Sequence, residues 1–324
     1  MTRRRIITTT VEQLQEPKTL SGYLAGRFTY FAQNEWRREI SGGKLSVDGA
    51  AVTDPGMLLK GGETLAWDGS GIIEPEVDRS ITVLYEDQWL VAVNKTGNLP
   101  VHPAGRYFNH TLTALLADRY GRKVYPVHRI DRETSGIVLL AFDNNSVQNL
   151  TRALASGTKD YLALVQGIFP DEELIIDLPL GRDTDSAVAK KRRAWPGGNE
   201  HALTRFRKIL SVGEISLVRC FPQTGRLHQI RAHLAAAGYP IVGDKLYGRD
   251  ETAFLKFIKE GFTAELQASL LLPRQALHAA RLAFIHPQTG KKLILRAPLP
   301  KLFANLLRSG KEGQVKAFPA RLSL

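Results

Sequence analysis

The sequence predicts an α+β protein whose main domain has a largely antiparallel sheet. Short β-rich runs outnumber the helical patterns, and most of these runs follow one another directly along the chain. Strands that alternated with helices would instead favour a doubly wound parallel sheet. With 324 residues and 43% hydrophobic content, the chain is long enough for one large domain and a small one.

The first part of the chain predicts two short helices and a small hairpin. Residues 1–17 lack periodicity, and we expect a loosely docked arm there. Apolar spacing predicts a helix from Thr19 and a second one over Asn34–Ile40, with Asn34 as its cap. The pair Asp48-Gly49 between apolar runs is typical of a hairpin turn, and Pro75–Arg79 is the expected linker.

The rest of the chain alternates β-rich runs with a few helical patterns. Strands are expected over residues 81–85, 89–93, 137–141, 159–165, 203–210, 214–221, 275–285 and 291–297. Helices are expected over residues 111–120, 229–237 and 252–259, after Asp143 or Asn144, and from Pro300. Residues 181–208 are interpreted as a strongly basic, loop-like segment, into which the strand from residue 203 extends.

The charge balance favours a polyanionic partner. Lysine and arginine number 44 against 32 acidic residues, which gives a formal net charge of +12 and a pI near 9.8. Neutralising phosphates releases counterions and speeds encounter, so this excess suits a nucleic acid. A basic protein that is simply soluble would have the same balance.

Cysteine content and hydropathy point to the cytoplasm. Cys220 is the only cysteine, which excludes an intrachain disulfide and a zinc cluster of several thiolates. The basic start is followed by Ile6–Thr10, which is too short and polar for a signal-peptide core, and no stretch approaches about 18 unbroken apolar residues. We therefore expect a cytoplasmic protein.

The best candidates for catalytic residues lie in one polar cluster, Pro126–Gly136, that leads directly into the apolar run Ile137–Ala141. Asp131 lies between Arg129 and Arg132, and a nearby guanidinium favours an ionised carboxylate. A carboxylate that stays charged in a cleft can act as a nucleophile or a base. An ion-paired structural loop ahead of a strand is the simpler interpretation of the cluster by itself.

The run His128–Ala141 resembles the signature of the RluA-like RNA pseudouridine synthases. Further blocks that are similar to this family follow in the same order: Tyr85-Glu86-Asp87 through Asn94-Lys95, Lys159–Ala163, Thr224–Arg231 and Leu277–Ala279. The resemblance covers about residues 80–300. Thr96 is a departure, since the family usually has proline after the lysine.

The resemblance implies isomerisation of a uridine in RNA, on a mixed, mostly antiparallel sheet that is flanked by helices and split by a basic cleft. Asp131 would be the catalytic residue, and its step stays open: attack on the base, attack on the sugar, or removal of a sugar proton. Such a reaction needs no redox cofactor and no metal. His228 and His233 are five residues apart, about 140° around a helix, and so do not form the i, i+4 pair of a zinc helix.

Other side chains gain expected roles from the same resemblance. Tyr161 would stack on the flipped base and handle a proton, although alone it would be an ordinary core aromatic. Arg226 is favoured for the ion pair with the catalytic carboxylate, with Arg231 as the alternative. Ile230 would contact the uracil. His128 and Arg129 would contact the RNA, with Arg129 filling the space that the extruded base leaves.

Two basic segments are expected to contact phosphates, which position RNA without reading bases. The first part of the chain resembles the alpha-L RNA-binding domain shared with a small-subunit ribosomal protein, through Arg37–Ile40 and Gly43–Gly49. The basic candidates are Arg37, Arg38 and Lys44 there, and Lys190, Lys191, Arg192 and Arg193 in the basic segment. Solvated charge runs are the alternative for both.

These observations predict three regions and leave alternatives for the function. We expect an RNA-binding domain with its arm over residues 1–78, a catalytic domain over residues 79–310 and a tail over residues 311–324. The appended domain favours large-subunit ribosomal RNA as the target of a monomeric enzyme, while transfer RNA stays open. A kinase-like enzyme is discounted, because the chain has no Gly-rich nucleotide loop. A non-catalytic RNA-binding or assembly factor would share the basic patches but would not require the Asp131 motif.

Overall fold

A computed structural model of the chain describes residues 5–28, 31–248 and 251–309. Its strands are β1 (Ile6–Thr10), β2 (Leu45–Val47), β3 (Ala50–Val52), β4 (Thr64–Asp68), β5 (Ile81–Glu86), β6 (Leu90–Lys95), β7 (Tyr125–Pro126), β8 (Ser135–Ala141), β9 (Thr158–Gln166), β10 (Leu174–Asp177), β11 (Leu180–Arg182), β12 (Arg192–Ala194), β13 (Leu203–Val212), β14 (Ile215–Pro222), β15 (Leu277–Ile285) and β16 (Lys292–Arg296). Its helices are α1 (Leu20–Arg27), α2 (Gln33–Ser41), α3 (Leu112–Tyr120), α4 (Asn144–Ala155), α5 (Gln229–Ala236), α6 (Thr252–Glu260), α7 (Ala264–Leu270) and α8 (Lys301–Ser309). The expected tail over residues 311–324 lies outside the described residues.

The chain forms two compact units. The first unit consists of Met1–Val77 and His102–Gly121, and the second of Asp78–Val101 and Arg122–Leu324. Within the first unit, the Glu74 carboxylate accepts three backbone N–H groups, from Phe108, Asn109 and His110, at 2.7 to 2.8 Å. These bonds tie the segment after β4 to the segment that leads into α3.

The first unit is built on an antiparallel sheet in the order β1-β4-β2-β3, with α1 and α2 contributing to its core. Trp36 of α2 and Trp67 of β4 are both buried and meet edge to face, with ring centroids 4.8 Å apart. The expectation of a loose arm was wrong for residues 6–10. All five are β-branched, and they pair with the whole of β4.

The predicted local signals of this unit are mostly confirmed. The Thr19 hydroxyl accepts the N–H of Gly22 and so caps α1. Asp48 and Gly49 have φ angles of 47° and 83°, as the two-residue turn between β2 and β3 requires. The cap of α2 is a correction. It lies at Ala32, whose backbone N–H donates to the Glu35 carboxylate at 2.8 Å, and not at Asn34.

The second unit has a ten-stranded sheet whose main path runs β10-β13-β14-β9-β15-β8-β6-β5. Strand β16 pairs with β15, and β7 pairs with β8. Among the described strands, the parallel pairing is that of β15 with β8, and the other neighbours are antiparallel. The α+β fold with a mixed, mostly antiparallel sheet is therefore confirmed.

Every residue of β8 is buried, which explains its apolar sequence. Gly136 near its start has a φ of 113°, and a Cβ there would lie 2.2 Å from the Ala279 carbonyl oxygen on β15. A glycine is needed because β8 and β15 meet closely at this point. The tight contact fixes where β8 begins, directly after the polar Asp131 segment.

Residues 181–208 contain more regular structure than the sequence indicated. Strands β11 and β12 form a hairpin in which Arg182 pairs with Arg192 and Gly181 with Arg193. Three-residue strands with charged side chains show no apolar alternation, so the pattern gave no sign of them. Helix α7 was also unexpected, although Thr263 supplies its N-terminal cap. Within the described ranges, no helix has the length and apolar content to cross a membrane.

Candidate active site

Asp131 lies in the segment between β7 and β8, at the end of the second unit's sheet. The carbonyl of the next residue, Arg132, accepts hydrogen bonds from the Leu99 N–H and from Lys95 Nζ, both at 3.1 Å. Lys95 is completely buried at the end of β6. Two donors from the segment at the end of β6 therefore hold the backbone beside Asp131.

The two oxygens of the Asp131 carboxylate have different surroundings. Oδ2 accepts from Arg231 Nη1 at 2.8 Å and from the side-chain amide of Gln275 at 3.2 Å. Oδ1 lies 4.0 Å from His228 Nε2, which is too far for a hydrogen bond. The side chain is 25% exposed. One oxygen is thus fixed by the protein, and the other faces an accessible space.

Arg231 is itself held by a second carboxylate. Its Nε and Nη2 donate to the two oxygens of Asp244 at 2.7 and 2.8 Å. Asp244 is buried and also accepts the backbone N–H groups of Leu246 and Tyr247. This fork-to-carboxylate geometry fixes the guanidinium, and its remaining nitrogen is directed to Asp131.

The site keeps Asp131 ionised. Burial alone would raise the pKa of Asp131, but the Arg231 charge and the hydrogen bonds from Gln275 and Arg231 bring it below its usual value. Burial likewise opposes the charge of Arg231, and the two carboxylates raise the pKa of that guanidinium overall. A charged carboxylate with one free oxygen can act as a nucleophile or as a base.

The ion pair differs from the pairing that was favoured from the sequence. Arg231, the alternative, is the partner of Asp131, whereas Arg226 is exposed and donates from Nε to the His201 carbonyl at 3.0 Å. Arg226 lies in the turn before α5, while Arg231 is the third residue of the helix. Of the two arginines, only Arg231, which is buried in the helix, binds both Asp131 and Asp244.

Tyr161 and Ile230 lie on elements that border the site. Tyr161 is half-buried on β9, and burial together with the Asp131 charge raises the pKa of its hydroxyl. The phenol is therefore neutral at ordinary pH. Ile230 is 7% exposed at the start of α5 and belongs to the same apolar cluster against which Tyr161 packs.

His128 and Arg129 differ in their environment. The ring of His128 accepts the Leu139 N–H at Nε2 at 3.1 Å, and burial lowers its pKa to about 3. Neutral His128 thus serves as an acceptor inside the fold. Arg129 is exposed.

The basic run from Lys190 to Arg193 is partly neutralised within the chain. Lys191 binds Glu251 at 2.8 Å and Asp183 at 3.4 Å, and Arg193 lies 3.4 Å from Asp185. Arg192 is half-buried in β12, whereas Lys190 is exposed. The expectation of a uniformly exposed basic loop was therefore wrong for Lys191 and Arg192.

The basic residues of the first unit lie on its surface. Arg37 and Arg38 are exposed on α2, and exposed Lys44 follows the helix. Lys44 forms an ion pair with Glu39 at 2.8 Å.

Three residues of the site were not singled out from the sequence. Asp244 holds Arg231, Gln275 holds Asp131, and the Tyr247 ring lies 4.8 Å from the Arg231 guanidinium. A weak signal existed for Asp244, which follows the apolar pair Ile241-Val242 and a glycine, where a buried acid requires partners. Gln275 was taken as the start of a strand, but β15 begins at Leu277 and the Gln275 side chain is buried ahead of it.

Metal ligation has no candidate in the part of the chain that the structure describes, where no three His, Cys, Asp or Glu side chains are grouped to hold an ion.

Comparisons with known sequences identify relatives along most of the chain. A family model described as RNA pseudouridylate synthase matches residues 89–236. Ribosomal large subunit pseudouridine synthase D of Zymomonas mobilis is 34% identical over 310 residues, which cover 89% of this chain and 93% of that protein. The protein of the same name from Vibrio cholerae is 33% identical over 307 residues, with 91% of each chain covered. The mitochondrial tRNA pseudouridine(32) synthase of Saccharomyces cerevisiae is 35% identical over 222 residues, which cover 67% of this chain and 47% of that protein.

Two solved human structures share the fold. Human RNA pseudouridylate synthase domain containing 1 has a TM-score of 0.55 at 22% identity, with 74% of this chain and 98% of that chain covered. Human RNA pseudouridylate synthase domain containing 4 has a TM-score of 0.54 at 27% identity, with coverages of 71% and 92%. The sequence relatives, at 33% and 34% identity over most of the chain, show that the chain belongs to the RluA-like family of RNA pseudouridine synthases.

Proposed function

We propose that this enzyme converts specific uridines of large-subunit ribosomal RNA to pseudouridine, with Asp131 as the reacting carboxylate. The observation that carries the proposal is the asymmetry of Asp131: Oδ2 is bound by Arg231 and Gln275, while Oδ1 is left to react. In a purely structural ion pair, both carboxylate oxygens are normally bound by the protein. An ionised carboxylate with an oxygen towards an accessible space suits a reaction.

The reaction breaks the bond between nitrogen 1 of the uracil and the ribose, rotates the base, and joins the ribose to carbon 5. Asp131 attacks the base, attacks the sugar or removes a sugar proton, and the proposal holds for each route. Arg231 keeps the carboxylate negative, and Asp244 keeps Arg231 in place. Arg226 would act at the rim of the site, where its exposed side chain can meet RNA.

The target base must leave its stack to reach a carboxylate that is three-quarters buried. Tyr161 would stack on the extruded uracil and, as a neutral phenol, could donate its proton. Arg129 is exposed next to the site and would fill the space that the base leaves, with His128 fixed behind it. The small exposed surface of Ile230 would contact the uracil edge.

Basic surfaces would supply most of the RNA affinity. The net charge of +12 favours encounter with phosphates. The contacts that we propose are those of exposed side chains at Arg37, Arg38, Lys44, Lys190 and Arg193. Lys191 and Arg192 would mainly stabilise the hairpin that carries Lys190 and Arg193. Residues 1–78 would thus act as the RNA-binding domain and residues 79–310 as the catalytic domain.

The identity of the RNA rests on the relatives. Two of them are named for the large ribosomal subunit and match nearly their whole length, which favours ribosomal RNA. The yeast relative is named for transfer RNA, and transfer RNA is therefore the second candidate. A monomer in a reducing cytoplasm fits the fully buried thiol of Cys220.

The test compares the wild-type protein with Asp131→Asn on unmodified transcripts of large-subunit ribosomal RNA and of transfer RNA. Tritium at carbon 5 of uridine is released when pseudouridine forms, so its release measures the reaction. We expect release from the ribosomal transcript with the wild type and none with Asp131→Asn, at equal RNA affinity. Equal release by both proteins would show that Asp131 does not take part in the reaction. Release from transfer RNA alone would show that transfer RNA, and not ribosomal RNA, is the substrate.

A further inference from the structure

Two polar atoms beside each other in the site have no hydrogen-bond partner within the described part of the chain. They are Oδ1 of Asp131 and Nε2 of His228, which are 4.0 Å apart. Both side chains are partly exposed, at 25% and 13%. Because both atoms stay accessible beside each other, a polar group that is not part of the protein can reach them and bind to both.

His228 is held in an unusual backbone conformation. It precedes α5 with a φ of 58°, in the left-handed region that residues other than glycine seldom adopt. Its ring meets the Tyr247 ring edge to face, with centroids 5.6 Å apart. Strained positions of this kind persist where the surrounding structure holds them, and they concentrate at functional sites.

Tyr247 determines which nitrogen of His228 carries the proton. The Tyr247 hydroxyl accepts the backbone N–H of Arg192 at 2.7 Å, and it lies 3.0 Å from His228 Nδ1. With its oxygen already accepting, the hydroxyl is best satisfied by donating its hydrogen to Nδ1. The proton of the neutral imidazole is then on Nε2, the nitrogen that faces Asp131.

The imidazole stays neutral in this position. Burial and the charge of Arg231 lower the pKa of His228 to about 4. A neutral ring adds a hydrogen-bond donor beside Asp131 without adding a charge that would compete with Arg231 for the carboxylate.

We propose that His228 donates a hydrogen bond from Nε2 to an oxygen of the target nucleoside that is bound against Asp131 Oδ1, with Tyr247 as the residue that positions its proton. This inference rests on the proposed function and adds a substrate contact to it. A carboxylate oxygen only accepts hydrogen bonds, so the nucleoside presents a carbon or a proton to Oδ1. An oxygen next to that atom is then close to Nε2–H, and both the ribose 2′-hydroxyl and a uracil carbonyl meet this description.

Two substitutions separate the donor from the fold. In His228→Gln, the side-chain amide nitrogen reaches the place of Nε2, whereas in His228→Asn the shorter amide reaches only the place of Nδ1. Asparagine tolerates the left-handed backbone better than glutamine does. A merely structural role would therefore make His228→Asn the less damaging change, and a donor role reverses this order.

The experiment measures single-turnover tritium release from the ribosomal transcript, with RNA affinity and melting temperature for each variant. We expect His228→Asn to react about 100-fold more slowly, the usual effect of a lost donor at a reacting centre, and His228→Gln to stay within about tenfold of wild type. RNA affinity should change little in either. A transcript with 2′-deoxyuridine at the target identifies the oxygen that accepts from His228. If wild type and His228→Asn react at equal rates on this transcript, the acceptor is the ribose 2′-hydroxyl. If His228→Asn is still slower than wild type, the acceptor is a uracil carbonyl.

The inference is overturned if folded His228→Asn reacts at the wild-type rate, or if folded His228→Gln is as slow as His228→Asn. Failure of the proposed function has a different result. In that case wild type and Asp131→Asn release equal amounts of tritium, or neither releases any from either class of transcript.

Discussion

Arg231 binds both carboxylate oxygens of Asp244, through Nε at 2.7 Å and Nη2 at 2.8 Å. Asp244 is completely buried and Arg231 nearly so. The guanidinium is therefore oriented before any substrate arrives, and its third nitrogen, Nη1, is fixed towards Asp131. The Asp131 carboxylate is thus positioned through a second acid, Asp244, that lies far from it in the sequence.

This geometry predicts that lysine cannot replace Arg231. Arg231→Lys keeps the charge but loses the planar fork, so it cannot hold both carboxylates at once. We expect the single-turnover rate of pseudouridine formation to fall roughly 100-fold with RNA affinity retained. Arg226→Lys is the matched control, and its rate should fall less than tenfold because Arg226 donates to the His201 carbonyl. Equal losses at both positions would contradict the assigned ion pair.

The close approach of β8 and β15 predicts a large cost for a side chain at Gly136. In Gly136→Ala, the new Cβ would lie 2.2 Å from the Ala279 carbonyl oxygen at a φ of 113°. We expect the free energy of unfolding to fall by about 3 kcal/mol, from backbone strain and from displacement of the strand. Gly213→Ala is the control, since its φ is 53° with nothing within 4 Å, and it should cost about 1 kcal/mol. Similar losses in urea denaturation would show that the contact is not tight.

Three largely buried, neutral histidines predict a loss of stability in mild acid. Burial lowers the pKa of His128 to about 3 and of His228 and His278 to about 4, from 6.5 in the unfolded chain. Between these values the unfolded chain binds more protons, so the stabilisation is complete above pH 6.5 and is lost as the pH falls towards about 4.

Urea denaturation at about pH 7.5, 6 and 5 measures this loss, because most carboxylates remain ionised over that range while an unfolded histidine gains its proton. A free energy of unfolding that is constant down to about pH 5 would show that these histidines are protonated in the folded enzyme.

The hairpin of β11 and β12 predicts different effects for two adjacent lysines. Exposed Lys190 is free to meet a phosphate, so Lys190→Gln should reduce the slope of log affinity against log salt by about 1. Lys191→Gln should leave the slope unchanged and lower the melting temperature, because Asp183 and Glu251 bind that ammonium. A reduced salt slope in Lys191→Gln and an unchanged slope in Lys190→Gln would show that Lys191, and not Lys190, contacts the RNA.

The sequence determined the local features of this protein. Caps such as Thr19, Thr111 and Asp143 begin helices where the pattern predicted them, and the Asp48-Gly49 turn forms its hairpin. Asp131 could be proposed as the reacting residue because its motif is contiguous in the chain. These features depend on residues within a few positions of one another, and a linear pattern records such neighbours directly.

Only the tertiary structure decided what surrounds Asp131. Arg231 is 100 residues away in sequence and Gln275 is 144 residues away, and both reach one carboxylate oxygen because α5 and the segment before β15 meet at the sheet. Arg226 and Arg231 are both arginines at the same end of α5, and no local pattern distinguishes them. The choice follows from burial next to Asp244, which arises from long-range packing and cannot be read from the spacing of residues.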